Sequence, residues 1–168
     1  MILPAVEEIP SPRSRRFREF LAFPARLYRG HPYWVPELRM ASRAFFDQDR
    51  HPFWKHARAS WFLVRDQGRP VGRIGVCLDR NHNQYAEERT AFWGFWECEN
   101  DPAAARLLFA AARAWARAQG ADCLRGPFNF TTNHTCGLLV DGFEGLPYFM
   151  MPYNPPYYEL LVRGEGFR

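Results

Sequence analysis

Residues 89–132 read RTAFWGFWECENDPAAARLLFAAARAWARAQGADCLRGPFNFTT. Thr90–Cys98 is dominated by aromatic residues and reads as a strand. Asp101-Pro102 then offers a capping carboxylate followed by proline at the first helical position, and Gly120 marks the far end of a helix. Within Pro102–Gln119, Leu108, Ala111, Trp115 and Ala118 form one stripe, while Arg106, Arg113 and Arg117 occupy another face. At 1.5 Å per residue the helix is roughly 27 Å long, enough to cross a small sheet. Ala121–Phe130 reads as the next strand, and a strand–helix–strand unit sets its two strands parallel. An α/β fold with a mixed sheet follows.

Upstream, the hydrophobic period is two. Ser60–Arg65 and Pro70–Asp79 read as strands joined by Asp66-Gln67-Gly68-Arg69, whose glycine suits a tight turn. Gly72 and Gly75 interrupt the second strand and mark a bulge or a close approach by another group. Arg80–Glu88 reads as a polar loop. Nearer the start, Ile2–Glu8 is a short edge strand, and Ser11-Pro12 opens a helix carrying Phe17, Phe20, Leu21, Leu27 and Tyr28. Glu37–Phe46 reads as a second helix. Downstream, Leu146–Tyr153 reads as a strand and Pro156–Arg163 as a short helix. The expected organisation is one domain over 1–168, with a helical part at about 11–50 and a sheet core at about 59–168. Because Gly166-Phe167 normally hands a helix over to another strand, the expectation is a truncated, front-half sequence lacking C-terminal strands.

Composition narrows the classes. With 47% hydrophobic residues and 17% aromatic, the 168 residues can fill a core. The net charge of +4 comes almost entirely from arginine, since Lys55 is the only lysine. Most aromatics fall in core-like patterns rather than among basic residues, so no nucleic-acid partner is expected. The four cysteines form no Cys-x-x-Cys pair, and His51 and His56 show no ligand pattern with nearby carboxylates or cysteines, so no metal is expected. No apolar run approaches 18 residues, so no transmembrane segment is expected. The expected location is cytoplasmic or peripheral to a membrane.

Several strings together resemble a known family. They are Leu27–Pro36 (LYRGHPYWVP), Gly72-Arg73-Ile74 with Asn81-His82-Asn83, Gly94–Glu99 (GFWECE), Arg125–Asn133 (RGPFNFTTN) and Met151–Tyr158 (MPYNPPYY). Their combination and order resemble the bacterial ceramide-synthase-like (YghO-like) branch of the GNAT superfamily. The resemblance covers nearly all of residues 20–168 and matches the front half of longer members. It implies a GNAT-like acyl-CoA N-acyltransferase fold. It also implies an acyl-CoA co-substrate and a small-molecule or lipid amine acceptor of sphingoid type. In that superfamily a glutamate on the strand corresponding to Thr90–Cys98 often acts as base, which points to Glu97. The acid tyrosine often stands four residues before the Gly-Phe pair, a position held here by Val162.

Acyl transfer to an amine needs a proton acceptor, hydrogen-bond donors for the carbonyl and stabilisation of the leaving thiolate. Glu97 and Glu99, two apart, are expected on one strand face, where mutual repulsion raises one pKa. Tyr157 or Tyr158 is a candidate acid. Asn129, Asn133, Tyr153 and Asn154 are candidate substrate-binding residues; their competing reading is that asparagines satisfy loop backbone and tyrosines pack. The turn Glu97–Pro102 is acidic and without glycine, so the usual diphosphate cradle is not expected there. The alternative is therefore a non-catalytic GNAT-like half that packs on a second, cofactor-binding half, or self-associates through an open sheet edge.

Overall fold

The computed structural model describes residues 4–168. One sheet of five strands runs in the order β1 (Ala5–Glu8), β2 (Ala57–Asp66), β3 (Arg69–Asp79), β4 (Thr90–Cys98) and β5 (Cys123–Arg125). All neighbours are antiparallel except β4 and β5, which are parallel around the crossover helix α4 (Pro102–Ala118). The expected α/β mixed sheet is the observed one. Of the first predicted strand, Ile2 and Leu3 lie outside the described residues. The β2–β3 turn places Gln67 and Gly68 at φ of 48° and 80°, the geometry that suits the twist of a two-residue hairpin.

Two apolar layers flank the sheet. On one face, α4 and α5 (Tyr158–Gly164) bury Leu108, Phe109, Ala112 and Tyr158 against Val64, Ile74, Trp93 and Trp96. On the other, α1 (Arg15–Leu27) brings Phe17 and Phe20 against Trp61, Leu63 and Cys77, joined by Phe45 from α2 (Arg39–Phe45). Four predicted boundaries need correction. Ser14, not Ser11, caps α1, because Ser11 is engaged in a turn that accepts from Ser14 N–H. Arg80–Ala86 is a helix, α3, capped by Asp79; none of its residues is buried, so it had no apolar period to read. The strand expected over 121–130 stops at Arg125, since from Pro127 the chain turns into a hairpin in which Phe128 pairs with Cys136. Leu146–Tyr153 forms no strand: Leu146, Tyr148 and Phe149 are exposed, and Pro147 and Pro152 remove two N–H donors.

A bulge in β4 determines what the sheet presents. Arg73 lies opposite Glu97 and Gly75 opposite Gly94, so one residue of β3 faces two of β4, with Phe95 at φ 46°. Strand residues alternate faces, and the extra residue reverses the alternation. Trp93 and Trp96 therefore both face α4, and Glu97 is turned to the α1 side. Gly75 is small for a related reason: a Cβ there would lie 2.9 Å from the Phe130 ring.

Candidate active site

Two cavities lie beside β4, on either side of the 127–137 hairpin. The smaller, about 150 Å³, has Glu97 in its wall with Arg73, Glu37, Asn129, Tyr153 and Tyr158. Tyr28 and Tyr158 each donate a phenolic O–H to Glu97 Oε2, at 2.7 and 2.6 Å. Arg73 Nη2 stands 3.8 Å from Glu97 Oε1. Burial pushes the Glu97 carboxyl above its ordinary value; Arg73 and the two hydroxyls oppose that rise, and the Glu37 charge adds to it. The mutual repulsion expected with Glu99 is not the cause. Strand β4 ends at Cys98, and Glu99 is bound outside the cavity by Arg69, with Arg26 at 3.8 Å.

Local sequence explains how Arg73 is held. Proline at position 24 of α1 has no N–H for the Phe20 carbonyl four residues back. Arg73 Nη1 takes that carbonyl at 3.0 Å, and its guanidinium lies over the Phe20 ring at 4.8 Å. The helix interruption thus supplies the anchor for the cation beside Glu97. Arg73 Nε has no hydrogen-bond partner among the described residues.

The other predicted site residues fall as follows. Asn129 lines this cavity and its side-chain oxygen accepts from Phe95 N–H at 2.8 Å, the amide that the bulge frees. Asn154 lines it too, with its amide spent on Leu139 N–H and C=O. Tyr153 lines it and bonds Phe143 O at 3.3 Å and His31 Nε2 at 3.1 Å. Tyr157 lies outside, donating to Cys98 O at 2.9 Å. Asn133 lines the larger cavity instead. Sequence reading missed Tyr28, Glu37 and Arg73. Only Arg73 carried a signal, as a charged residue close to two glycines in an apolar strand.

The start of α4 does not fit a diphosphate. Asp101 Oδ1 accepts from Ala103 N–H at 2.8 Å and Ala104 N–H at 3.2 Å, Ala105 N–H goes to Asp101 C=O, and Pro102 has none. The donors a helix N-terminus would aim at phosphate are therefore already bonded, beside a negative charge. The adjoining strand edge is also bonded: Tyr158 OH accepts from Cys98 N–H at 3.0 Å while Tyr157 holds Cys98 C=O. Burial pushes the Cys98 thiol up to about 12. No group of three or more potential ligands able to hold a metal ion occurs among the described residues, and no described helix is long and apolar enough to cross a membrane.

Comparison with known proteins agrees with this architecture. No protein-family model matches the chain. It is 36% identical over 160 residues to the bacterial ceramide synthase of Caulobacter vibrioides, a match covering 95% of this chain and 42% of that protein. It is 32% identical over 155 residues to Protein YghO of Escherichia coli, covering 89% of this chain and 38% of that protein. The chain thus spans less than half the length of these curated relatives. Among solved structures, a tandem GNAT protein from the clavulanic acid biosynthesis pathway superposes with a TM-score of 0.59 at 16% identity, over 96% of this chain and 43% of that one. An aminoglycoside acetyltransferase from a soil metagenomic sample, in complex with sisomicin, superposes with a TM-score of 0.51 at 10% identity, over 75% and 78%. The chain has the GNAT fold and, over the part of their length that it spans, belongs to the ceramide-synthase-like branch with those two relatives.

Proposed function

We propose that this chain carries acyl-CoA-dependent N-acyltransferase chemistry, with Glu97 taking the proton of an amine. The observation that carries this reading is the buried Glu97 carboxyl, fixed by two phenols in a cavity wall. A carboxylate of raised pKa is a stronger base than one in water, and its partners leave Oε1 free of any hydrogen bond among the described residues. Among the described residues of the wall, Glu37 and Glu97 face a single cation, Arg73, an arrangement that favours an ammonium over an anion.

A lipid amine of sphingoid type is the proposed acceptor. Exposed Val35 and Met151 line the same cavity, and Leu38, Met40, Tyr148 and Phe149, close to them in the chain, are 76%, 82%, 87% and 93% exposed. Exposed apolar residues next in sequence to the cavity's lining segments suit a hydrocarbon chain entering from a membrane surface. The relative's name, ceramide synthase, supports the same class.

The blocked start of α4 favours a second reading, in which this half binds substrate and a second GNAT-like half holds the acyl-CoA. The chain's 43% coverage of a tandem GNAT protein supports that division. Mass spectrometry of a mixture of the chain, palmitoyl-CoA and a long-chain 2-amino-1,3-diol tests both. Amide formation that falls at least about 100-fold in Glu97→Gln supports the first reading. Equal turnover in the variant removes Glu97 from the chemistry. A rise in unfolding midpoint with the amine, without amide or any response to the acyl-CoA, supports the second.

A further inference from the structure

The larger cavity, about 470 Å³, holds four of the chain's five histidines and takes no part in the reading above. Its volume falls in the range of small-molecule sites. Phe53, Phe92, Phe128 and Phe130 supply an apolar lining. Against it stands a histidine–carboxylate pair, with His56 Nδ1 2.7 Å from Asp79 Oδ1.

Asp79 is itself held rigidly, since the same oxygen accepts the N–H groups of Asn81 and His82 as the cap of α3. The His56 main chain is fixed too: its C=O accepts from Arg80 N–H at 3.0 Å. A carboxylate at Nδ1 retains the proton there, which leaves Nε2 as the acceptor of the neutral ring. His56 is therefore a fixed imidazole in the wall of an aromatic cavity, with Nε2 turned away from the carboxyl group that holds Nδ1.

The surrounding charges decide the ligand class. Arg125, the one permanent cation among the described residues of the wall, is bonded twice to Glu88 at 2.9 and 3.0 Å, and His82 joins the same carboxylate at 2.6 Å. Burial and nearby His51 lower the His134 pKa, which keeps that ring uncharged at neutral pH. Among the described residues lining the cavity no cation is left uncommitted for an anionic ligand, whereas the Asp79 carboxyl group stands behind the His56 ring.

We propose that this cavity is a second binding site, taking a small alcohol or amine whose head hydrogen-bonds to His56 Nε2 and whose apolar body lies on the phenylalanines. It stands independently of the role given to Glu97. The test uses the 168-residue chain labelled with ¹⁵N-histidine and titrated into the millimolar range with 2-phenylethanol and 2-phenylethylamine. A saturable shift of the His56 Nε2 resonance is expected with at least one probe. A response to the alcohol alone identifies a hydrogen-bonding head, and a response to the amine alone identifies selection by charge. Asp79→Asn keeps an oxygen to cap α3 and should weaken binding at least about tenfold. Glu97→Gln should leave it unchanged. Absence of a saturable shift with either probe, full affinity in Asp79→Asn, or loss of the shift in Glu97→Gln would each overturn the proposal.

Discussion

The two cavities beside β4 treat a carboxylate in opposite ways. In the smaller, Glu97 is removed from water, and burial raises its pKa despite Arg73 and two hydroxyl donors. Beside the larger, hydrogen bonds from His82 and Arg125 hold the Glu88 carboxyl below its ordinary value. The same residue type thus has opposite linkage to folding. Glu97 takes up its proton more readily when folded, so its contribution is fully present below about pH 4.5 and is lost as pH rises through its raised folded pKa. Glu88 behaves inversely: its contribution is present above about pH 4.5 and is lost as pH falls through its lowered one. Desolvation decides the first case, and partners at an accessible edge decide the second.

The hairpin between the cavities is the place to break both together. A Cβ at Gly94 would lie 1.6 Å from the Phe128 carbonyl oxygen. Gly94→Ala should therefore cost more than about 4 kcal/mol in urea denaturation, because the contact is backbone that cannot rotate away. An unchanged midpoint would show that the hairpin does not rest on β4. Arg73→Met reaches the smaller cavity alone. It leaves Glu97 buried without a cation and should cost about 3 kcal/mol at neutral pH, less in acid where Glu97 is protonated. A loss independent of pH would remove the electrostatic account.

Smaller changes sharpen the contrast. Tyr158 donates to Glu97 and also accepts from Cys98 N–H, whereas Tyr28 makes only the first of these bonds. Tyr158→Phe should cost roughly 2 kcal/mol and Tyr28→Phe roughly 1 kcal/mol. The reverse order would contradict the shared-hydroxyl arrangement. The smallest effect belongs to Glu88→Gln, which should flatten the loss of stability on acidification without touching the Glu97 dependence. An unaltered acid limb in thermal unfolding would show that the Glu88 cluster contributes nothing.

Much of this fold was legible because burial leaves a periodic trace. Strands β2 to β4 and helix α4 follow alternating or helical apolar patterns, and Asp101-Pro102 marks the helix start where the structure has it. What was missed has no such trace. Helix α3 is held by one capping carboxylate, and the early end of β5 at Arg125, inside the strand expected over 121–130, follows from the hairpin that begins at Pro127. The site itself was half legible. Glu97 was singled out, yet its face depends on a bulge at Phe95; Gly72 and Gly75 pointed to an irregularity in the neighbouring strand but not to the extra residue in β4. The Glu97 partners Tyr28 and Arg73 lie 69 and 24 residues away in sequence and meet it only after α1 has packed on the sheet.

The central claim is that Glu97 is a desolvated carboxyl poised to accept a proton, and direct titration tests it most closely. Side-chain ¹³C resonances of glutamate, followed against pH in the wild type and assigned by Glu97→Gln, give its pKa without an assay of activity. The account predicts a midpoint clearly above 4.5 that rises further in Arg73→Met, since Arg73 holds it down. A midpoint at or below 4.5 would mean that the tyrosines and Arg73 outweigh burial, and that Glu97 is a structural anion rather than a base.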